Sequence, residues 1–341
     1  MLALQALTPE RLAQLVPAIT LGEARKVIAR IHRGEPIAPT SAIRRSAADA
    51  VRQAGDVPAL SVIAETASAI DPFVKYVLAA PDGARFEAVR IPLEARDRFS
   101  ACVSSQVGCA LGCAFCATGR MGLRRNLAAW EIVEQVRVIR ARLPHGRVHG
   151  VVFQGMGEPL ANVEAVLDAI AVFQEPSALG IDARAITVCT AGLPSGIRKL
   201  AERAPKVRLG LSIHLVPRGG RTRRSIMPID GAHSLDDVLA AAADHARTTG
   251  LSPMWAVTLL AGVNDSDDDA RALAARARAF AAATGRMPRI SIIAYNATPG
   301  GDPFARSLRE REFRAALGLP SHRRYSGGSD VAAACGQLAA R

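Results

Sequence analysis

Residues 99–122 read FSACVSSQVGCALGCAFCATGRMG. The first seven residues, FSACVSS, have the composition of a buried strand; a glycine-containing loop follows, holding Cys109, Cys113 and Cys116 in C-x3-C-x2-C spacing. From this stretch onward strand-like and helix-like segments alternate. The strand-like runs are FSACVSS, HGVVFQ, AITVCT, VRLGLSIHL, MWAVTLL and RISIIAY, and between them lie helical stretches such as LAAWEIVEQVRVIRARL and SLDDVLAAAADHARTT. Six such units in one run imply an α/β fold with a parallel sheet, and the periodicity alone allows either a partial (β/α)6 barrel or a doubly wound sheet. In both, chemistry collects in the loops that leave the C-terminal ends of the strands.

Working outward, residues 100–300 hold this alternation, and the flanks differ from it. Residues 1–55 read as an N-terminal helical accessory domain: Thr8 can cap PERLAQLV, and Ala24, Val27, Ile28 and Ile31 share one face of GEARKVIARIHRG. The basic side of that helix is either a solvated face or an RNA contact. Residues 56–99 contain VKYVLAAPDGARFEAVRIP, whose apolar residues alternate on both sides of Pro81-Asp82-Gly83 and predict a β-hairpin extension. Residues 301–341 form a C-terminal segment that closes on SDVAAACGQLAAR, an Ala-rich run expected to be helical, with a lone cysteine, Cys335. Core packing is the plain explanation for such a thiol, because free cysteine is often buried.

The chain has 341 residues with a net charge of +12, which suits a polyanion as partner because bound cations displace counterions from phosphates. Only four of its 43 basic residues are lysines, and richness in arginine and alanine is equally what a GC-rich coding sequence produces. The N-terminus MLALQALTPERLAQLVPAI lacks the basic start and long apolar core of a signal peptide. No run approaches the roughly 18 apolar residues of a membrane span, so a cytoplasmic protein without membrane contact is expected. There, six cysteines point to reactive or metal-binding roles rather than a disulfide framework.

Cys109, Cys113 and Cys116 can wrap one face of a metal centre. A structural zinc ion wants four closed ligands, and no fourth cysteine or histidine follows at the usual spacing. A [4Fe-4S] cluster on three thiolates keeps one iron open for a substrate or cofactor. One unit further on, GMGEPLAN (residues 155–162) places Gly157, where backbone can approach a ligand, beside Glu158, a carboxylate for an ammonium group. Ser212, Ile213 and His214 end the fourth strand and Tyr295 and Asn296 follow the sixth; a histidine such as His214 is by itself more often structural.

These motifs resemble a known superfamily. C-x3-C-x2-C with an aromatic residue, Phe115, before the last cysteine resembles the radical S-adenosylmethionine (SAM) enzymes. The ordered set CVSSQVGCALGCAFCATG, RNL, EIVEQV, GMGEPLAN, GVND and AACGQL, running from KYVLAAPDG to the end, is similar to the RlmN/Cfr type of radical SAM RNA methyltransferase; the N-terminal unit matches only through EARKVIARIHRG. The resemblance implies the partial barrel, a [4Fe-4S] cluster on Cys109, Cys113 and Cys116, and SAM contacts at Gly157, Glu158, Ala191, Ser212, Ile213, His214 and Asn296. It also implies methylation of an adenine ring carbon, at carbon 2 in 23S rRNA and also in tRNA, with carbon 8, or an orphan RNA methyltransferase activity, as the alternative. In the family's chemistry Cys335 takes a methyl group from one SAM, and a radical derived from a second removes a hydrogen from it. The carbon then joins the adenine, Glu87 takes the ring proton, and Cys102 attacks the sulfur to leave a Cys102–Cys335 disulfide. A surface strand position is the plain alternative for Glu87. The implied partners are RNA and an electron donor, acting on a monomer. A radical SAM peptide or protein maturase needs neither Cys102 nor Cys335, and a non-catalytic iron–sulfur RNA-binding protein needs no SAM contacts.

The chain departs from the family pattern at three places. Cys189-Thr190-Ala191-Gly192 stands where Ser-Thr-Ser-Gly is common, removing a hydroxyl at Ala191; Cys189 itself is expected to be core. Gln154 stands in place of a methionine, and Ser326-Gly327-Gly328 replaces a basic segment containing Arg-Gly.

Overall fold

A computed structural model describes residues 1–298 and 300–339; Pro299 of the AYNATPGG stretch and Ala340 and Arg341 of the C-terminal segment lie outside the described residues. Ten strands form one mixed sheet: β1 (Ser61–Ala67), β2 (Val74–Ala79), β3 (Arg85–Pro92), β4 (Arg98–Val103), β5 (Arg147–Phe153), β6 (Ile186–Thr190), β7 (Arg208–Ser212), β8 (Met254–Leu259), β9 (Arg289–Ala294) and β10 (Ser321–Arg324). They lie side by side in sequence order, antiparallel from β1 to β4 and parallel from β4 to β10. A doubly wound sheet reverses its strand order at a switch point, and this one never does. With right-handed crossovers, unbroken sequential order winds the sheet in one sense, and β1 and β10 remain as separate edges. The fold is therefore the partial barrel, and the doubly wound alternative falls.

The hairpin expected around Pro81-Asp82-Gly83 joins β2 to β3. Gly83 takes a positive φ of 78°, and Asp82 Oδ1 accepts from the Ala84 amide at 3.0 Å. The N-terminal helices Pro9–Leu15, Leu21–His32 and Arg45–Ala54 include the expected face of Ala24, Val27, Ile28 and Ile31, all buried. Thr20 and Glu23 form a capping box, and Glu23 also receives the Arg44 guanidinium at 2.8 Å, tying the second helix to the third. Arg137, on the helix after the cysteine loop, donates to the Ile31 carbonyl at 2.9 Å and fastens this unit to the barrel.

The C-terminal segment corrects an expectation: Cys335 is not in a helix. A single 3-10 turn, Ser329–Val331, precedes it, and both Ala332 (φ 52°) and Gly336 (φ 86°) are left-handed. Ala-rich sequence favours helix only where backbone donors are free to bond locally. Here they are taken by distant groups: the Cys335 amide by Ser326 Oγ at 2.9 Å and the Ala339 amide by Glu87 Oε2 at 2.8 Å. The tail's carbonyls are likewise engaged, Gly336 by the Ala117 amide at 2.7 Å and Leu338 by Thr118 Oγ1 at 2.6 Å. Among the described residues no helix is long and apolar enough to cross a membrane.

Candidate active site

At the C-terminal ends of the parallel strands a cavity opens, and each βα unit contributes to its wall. Cys109, Cys113 and Cys116 enter from the loop after β4, Gly157 and Glu158 from the turn after β5, and Cys189 and Ala191 from β6 and its end. Ser212 and His214 follow from β7, and Cys335 and Gly336 of the tail close the far side.

The cysteine loop is held from several directions. Strands Gln106–Cys109 and Gly122–Asn126 pair as a small hairpin around it. Gly108 sits at φ 78°, where a Cβ would lie 1.9 Å from the Gly122 carbonyl oxygen, so only glycine allows this approach. Burial pushes the Cys109 thiol up to about 11, and it raises Cys113 and Cys116 as well, with the neighbouring thiols adding to the rise at Cys113. Such thiols stay protonated unless a metal centre takes their protons' place. Among the described residues no three Cys, His, Asp or Glu side chains are gathered as ligands for a single ion. The other candidate donors in the wall are engaged: Glu158 accepts from the Leu160 and Ala191 amides at 2.9 and 2.8 Å, and His214 Nδ1 accepts from the Thr258 amide at 3.0 Å. Three thiols without a fourth ligand suit an iron–sulfur cluster with one open iron and do not suit closed zinc.

Glu158 is buried, which raises its carboxyl against the lowering effect of the Ala191 and Leu160 amides. The Gly157 preceding it has φ 99°, and a Cβ there would lie 2.5 Å from Gln106 Cβ. Ala191 keeps its backbone N–H in the site through Glu158, although it brings no hydroxyl. Ile213 is fully buried behind the wall, its amide donating to the Ala256 carbonyl at 3.0 Å, and does not line the cavity.

His214 is one of two non-glycine residues with positive φ among the described residues, at 55°. Its ring lies 4.7 Å from that of Phe115, and its carbonyl accepts from Asn264 Nδ2 at 2.6 Å. Burial, followed by the nearby Arg223 cation, lowers its pKa to about 3, so the ring is neutral with Nε2 as its donor. Arg223 escaped the sequence reading. Its side chain is fully buried and donates to the carbonyls of Ile213, Ala191 and Ser212 at 3.1, 2.5 and 2.9 Å, clamping the ends of two strands while paired with Asp230. An arginine in the Arg-rich run RTRRS gave no signal of this.

Neutral buried histidines make stability depend on pH. Burial lowers His214 and His32 to about 3 and His245 to about 4, against 6.5 for an exposed imidazole. Between those limits the unfolded chain binds more protons than the folded one. Stability is therefore full above 6.5 and is lost as pH falls toward the folded values. The thermal unfolding midpoint is expected to drop by roughly 5 °C from about pH 7.5 to about pH 5.5. Calorimetry checks this, and His245→Gln should flatten part of the slope.

The tail thiol belongs to two cavities at once. Cys335 lines the first with the three loop cysteines and a second with Cys102, Phe73 and Arg324. Gln154 Nε2 donates to its sulfur at 3.2 Å, and Asn296 Nδ2 to its carbonyl at 3.3 Å. Asn296 thus faces the tail and does not line the first cavity. Cys102, on β4, is buried and pushed up to about 12 by that burial, with Cys335 close enough to add to the rise. All six cysteines are free thiols, so the implied Cys102–Cys335 disulfide is not formed in this structure. Glu87 is buried rather than on a strand surface; it pairs with Lys75 at 3.3 Å, accepts the Ala339 amide and lines neither cavity. Cys189 is buried as expected of a core residue, yet it also faces the first cavity.

A model of the radical SAM superfamily matches residues 103–277. A probable RNA methyltransferase of Sorangium cellulosum is 57% identical, covering 97% of this chain and 90% of its own length. A probable dual-specificity RNA methyltransferase RlmN of Moorella thermoacetica is 38% identical over 98% of this chain and 96% of its own. The crystal structure of a radical SAM methyltransferase from Sphaerobacter thermophilus superposes with a TM-score of 0.88 at 33% identity, covering all of both chains.

Proposed function

The chain belongs to the radical SAM superfamily and, within it, to the RlmN/Cfr-type family, and from that membership we propose that it methylates a ring carbon of adenine in RNA. The observation that carries the reading is that Cys335, remote in sequence, shares one cavity with Cys109, Cys113, Cys116 and Glu158. A cluster and SAM, when bound, supply one-electron cleavage of a carbon–sulfur bond and hence a radical able to take a hydrogen from a methyl group. The rest falls to the chain's own residues. Cys109, Cys113 and Cys116 would hold the cluster, and Glu158 with the strand ends at Ala191, Ser212 and His214 would receive SAM, with Ile213 packed behind that wall in support. Asn296 secures the tail. Cys335 as thiolate takes a methyl group from SAM, forming a carbon–sulfur bond and releasing S-adenosylhomocysteine. Once that carbon is joined to the base, the adduct gives up one electron and its ring proton. We assign the proton to Glu87, which lines neither cavity but is tied to the tail through the Ala339 amide, so the tail must shift for the carboxylate to reach the base. Cys102, as thiolate, then forms a sulfur–sulfur bond to Cys335 as the bond from Cys335 to carbon breaks. The carbon leaves with the electron pair and takes up a proton to become the methyl group, and a two-electron reductant restores both thiols.

Two features support RNA as substrate: the net charge of +12 and the similarity to probable RNA methyltransferases. Carbon 2 in 23S rRNA, with tRNA as a second substrate, is the target we favour from the family resemblance, and the dual specificity of the Moorella relative supports a second RNA substrate. Mass spectrometry of the Cys335 peptide tests the chemistry: after incubation of the cluster-loaded protein with SAM, the peptide should carry one methyl group. An unmodified peptide despite an intact cluster would defeat the proposal. Comparing methyladenosine isomers in rRNA and tRNA from wild-type and deletion strains reads the target, and a loss confined to 8-methyladenosine would replace carbon 2 by carbon 8.

A further inference from the structure

Gln154 follows β5, and Cys189 lies on the adjacent strand β6, where Val188 pairs with Phe153. The two side chains meet, the Cys189 Sγ lying 3.7 Å from Gln154 Oε1. The other end of the same amide, Nε2, donates to the Cys335 sulfur at 3.2 Å. The ends of an amide are distinguished by their partners: a thiol hydrogen seeks the oxygen, and that leaves the NH2 group to face the tail. The contact makes Gln154 and Cys189 one unit, joined in turn to the tail thiol.

We propose that Gln154, oriented by Cys189, is a positioning residue that holds the Cys335 sulfur at the junction of the two cavities for methyl transfer. The proposal rests on the reading of Cys335 as methyl acceptor. An N–H group binds sulfur most strongly while the sulfur carries charge and weakly once it is a thioether. Gln154 therefore grips the nucleophile before transfer and slackens as the methyl group arrives. Arg324, the cation facing Cys102, Cys189 and Cys335, works in the same direction by opposing the effect of burial on all three thiols. Methionine at residue 154 can fill the space but offers sulfur no donor.

Four variants test this in the cluster-loaded protein: Gln154→Met, Cys189→Ala, Cys189→Ser and the double Gln154→Met/Cys189→Ala. One readout is the rate at which SAM methylates the Cys335 peptide; the other, without SAM, is the rate of iodoacetamide alkylation of Cys335 relative to Cys102. Gln154→Met should slow both by roughly tenfold and Cys189→Ala by roughly threefold. Cys189→Ser, which keeps a donor, should recover most of the loss, and the double variant should be no slower than Gln154→Met alone. Wild-type rates in Gln154→Met, or losses that multiply in the double variant, would overturn the proposal. If wild-type Cys335 never gains a methyl group, the function reading fails by itself, while the alkylation series still judges Gln154.

Discussion

Cys335→Ala is expected to abolish RNA methylation, by at least about a thousandfold, while the protein still binds its cluster and cleaves SAM. The loss should be this large because the described residues place no other thiol in the tail, and of the cysteines only Cys335 lines both cavities. Cys102→Ala should fail differently. Cys102 faces Cys335 across the second cavity, so its removal leaves the joining step intact and blocks the release. Labelled RNA should then migrate with the protein on a denaturing gel, and the double variant Cys102→Ala/Cys335→Ala should lose that band. A band that persists in the double variant would show that another side chain carries the carbon.

Replacing Cys113 by alanine is expected to remove the iron–sulfur absorbance and to reduce SAM cleavage by at least about a thousandfold. Three thiols leave no redundancy, and the loop cannot shift to recruit a substitute. Gly119 packs so closely on Cys113 that a Cβ would lie 2.9 Å from its amide nitrogen, and the Ala114 amide is bonded to the Ile226 carbonyl at 3.0 Å. Bound iron and the rate of 5′-deoxyadenosine release check the prediction. Cys189→Ala, by contrast, should retain full iron content.

Sequence patterns exposed the six central strands because buried parallel strands must be apolar throughout, and they exposed the hairpin because Pro81-Asp82-Gly83 allows little but a turn. The two outermost strands were invisible for a common reason: each lies at an edge of the sheet. In β1, Glu65 and Ile63 face outward and a bulge interrupts the pairing at Val62–Ala64; in β10, Ser-His-Arg-Arg has no apolar signature and is ordered by β9. The loop cysteines could be read from their spacing, since three thiols that line one cavity sit within eight residues. That Cys189 meets Gln154, and Gln154 the tail, could not be read, because the meeting depends on register between strands separated by a helix. Local composition misled at the tail, where long-range bonds outweighed the helical preference of alanine.

The bonds that run from the Ala117 amide to Gly336 and from Thr118 to Leu338 join the residues just after Cys116 to those just after Cys335. The two reactive regions are therefore stitched together outside the reacting atoms. Order in either partner then depends on order in the other: a chain whose cysteine loop is unformed leaves the Gly336 and Leu338 carbonyls without these partners, and a chain that lacks its last residues leaves the Ala117 amide and the Thr118 hydroxyl without theirs.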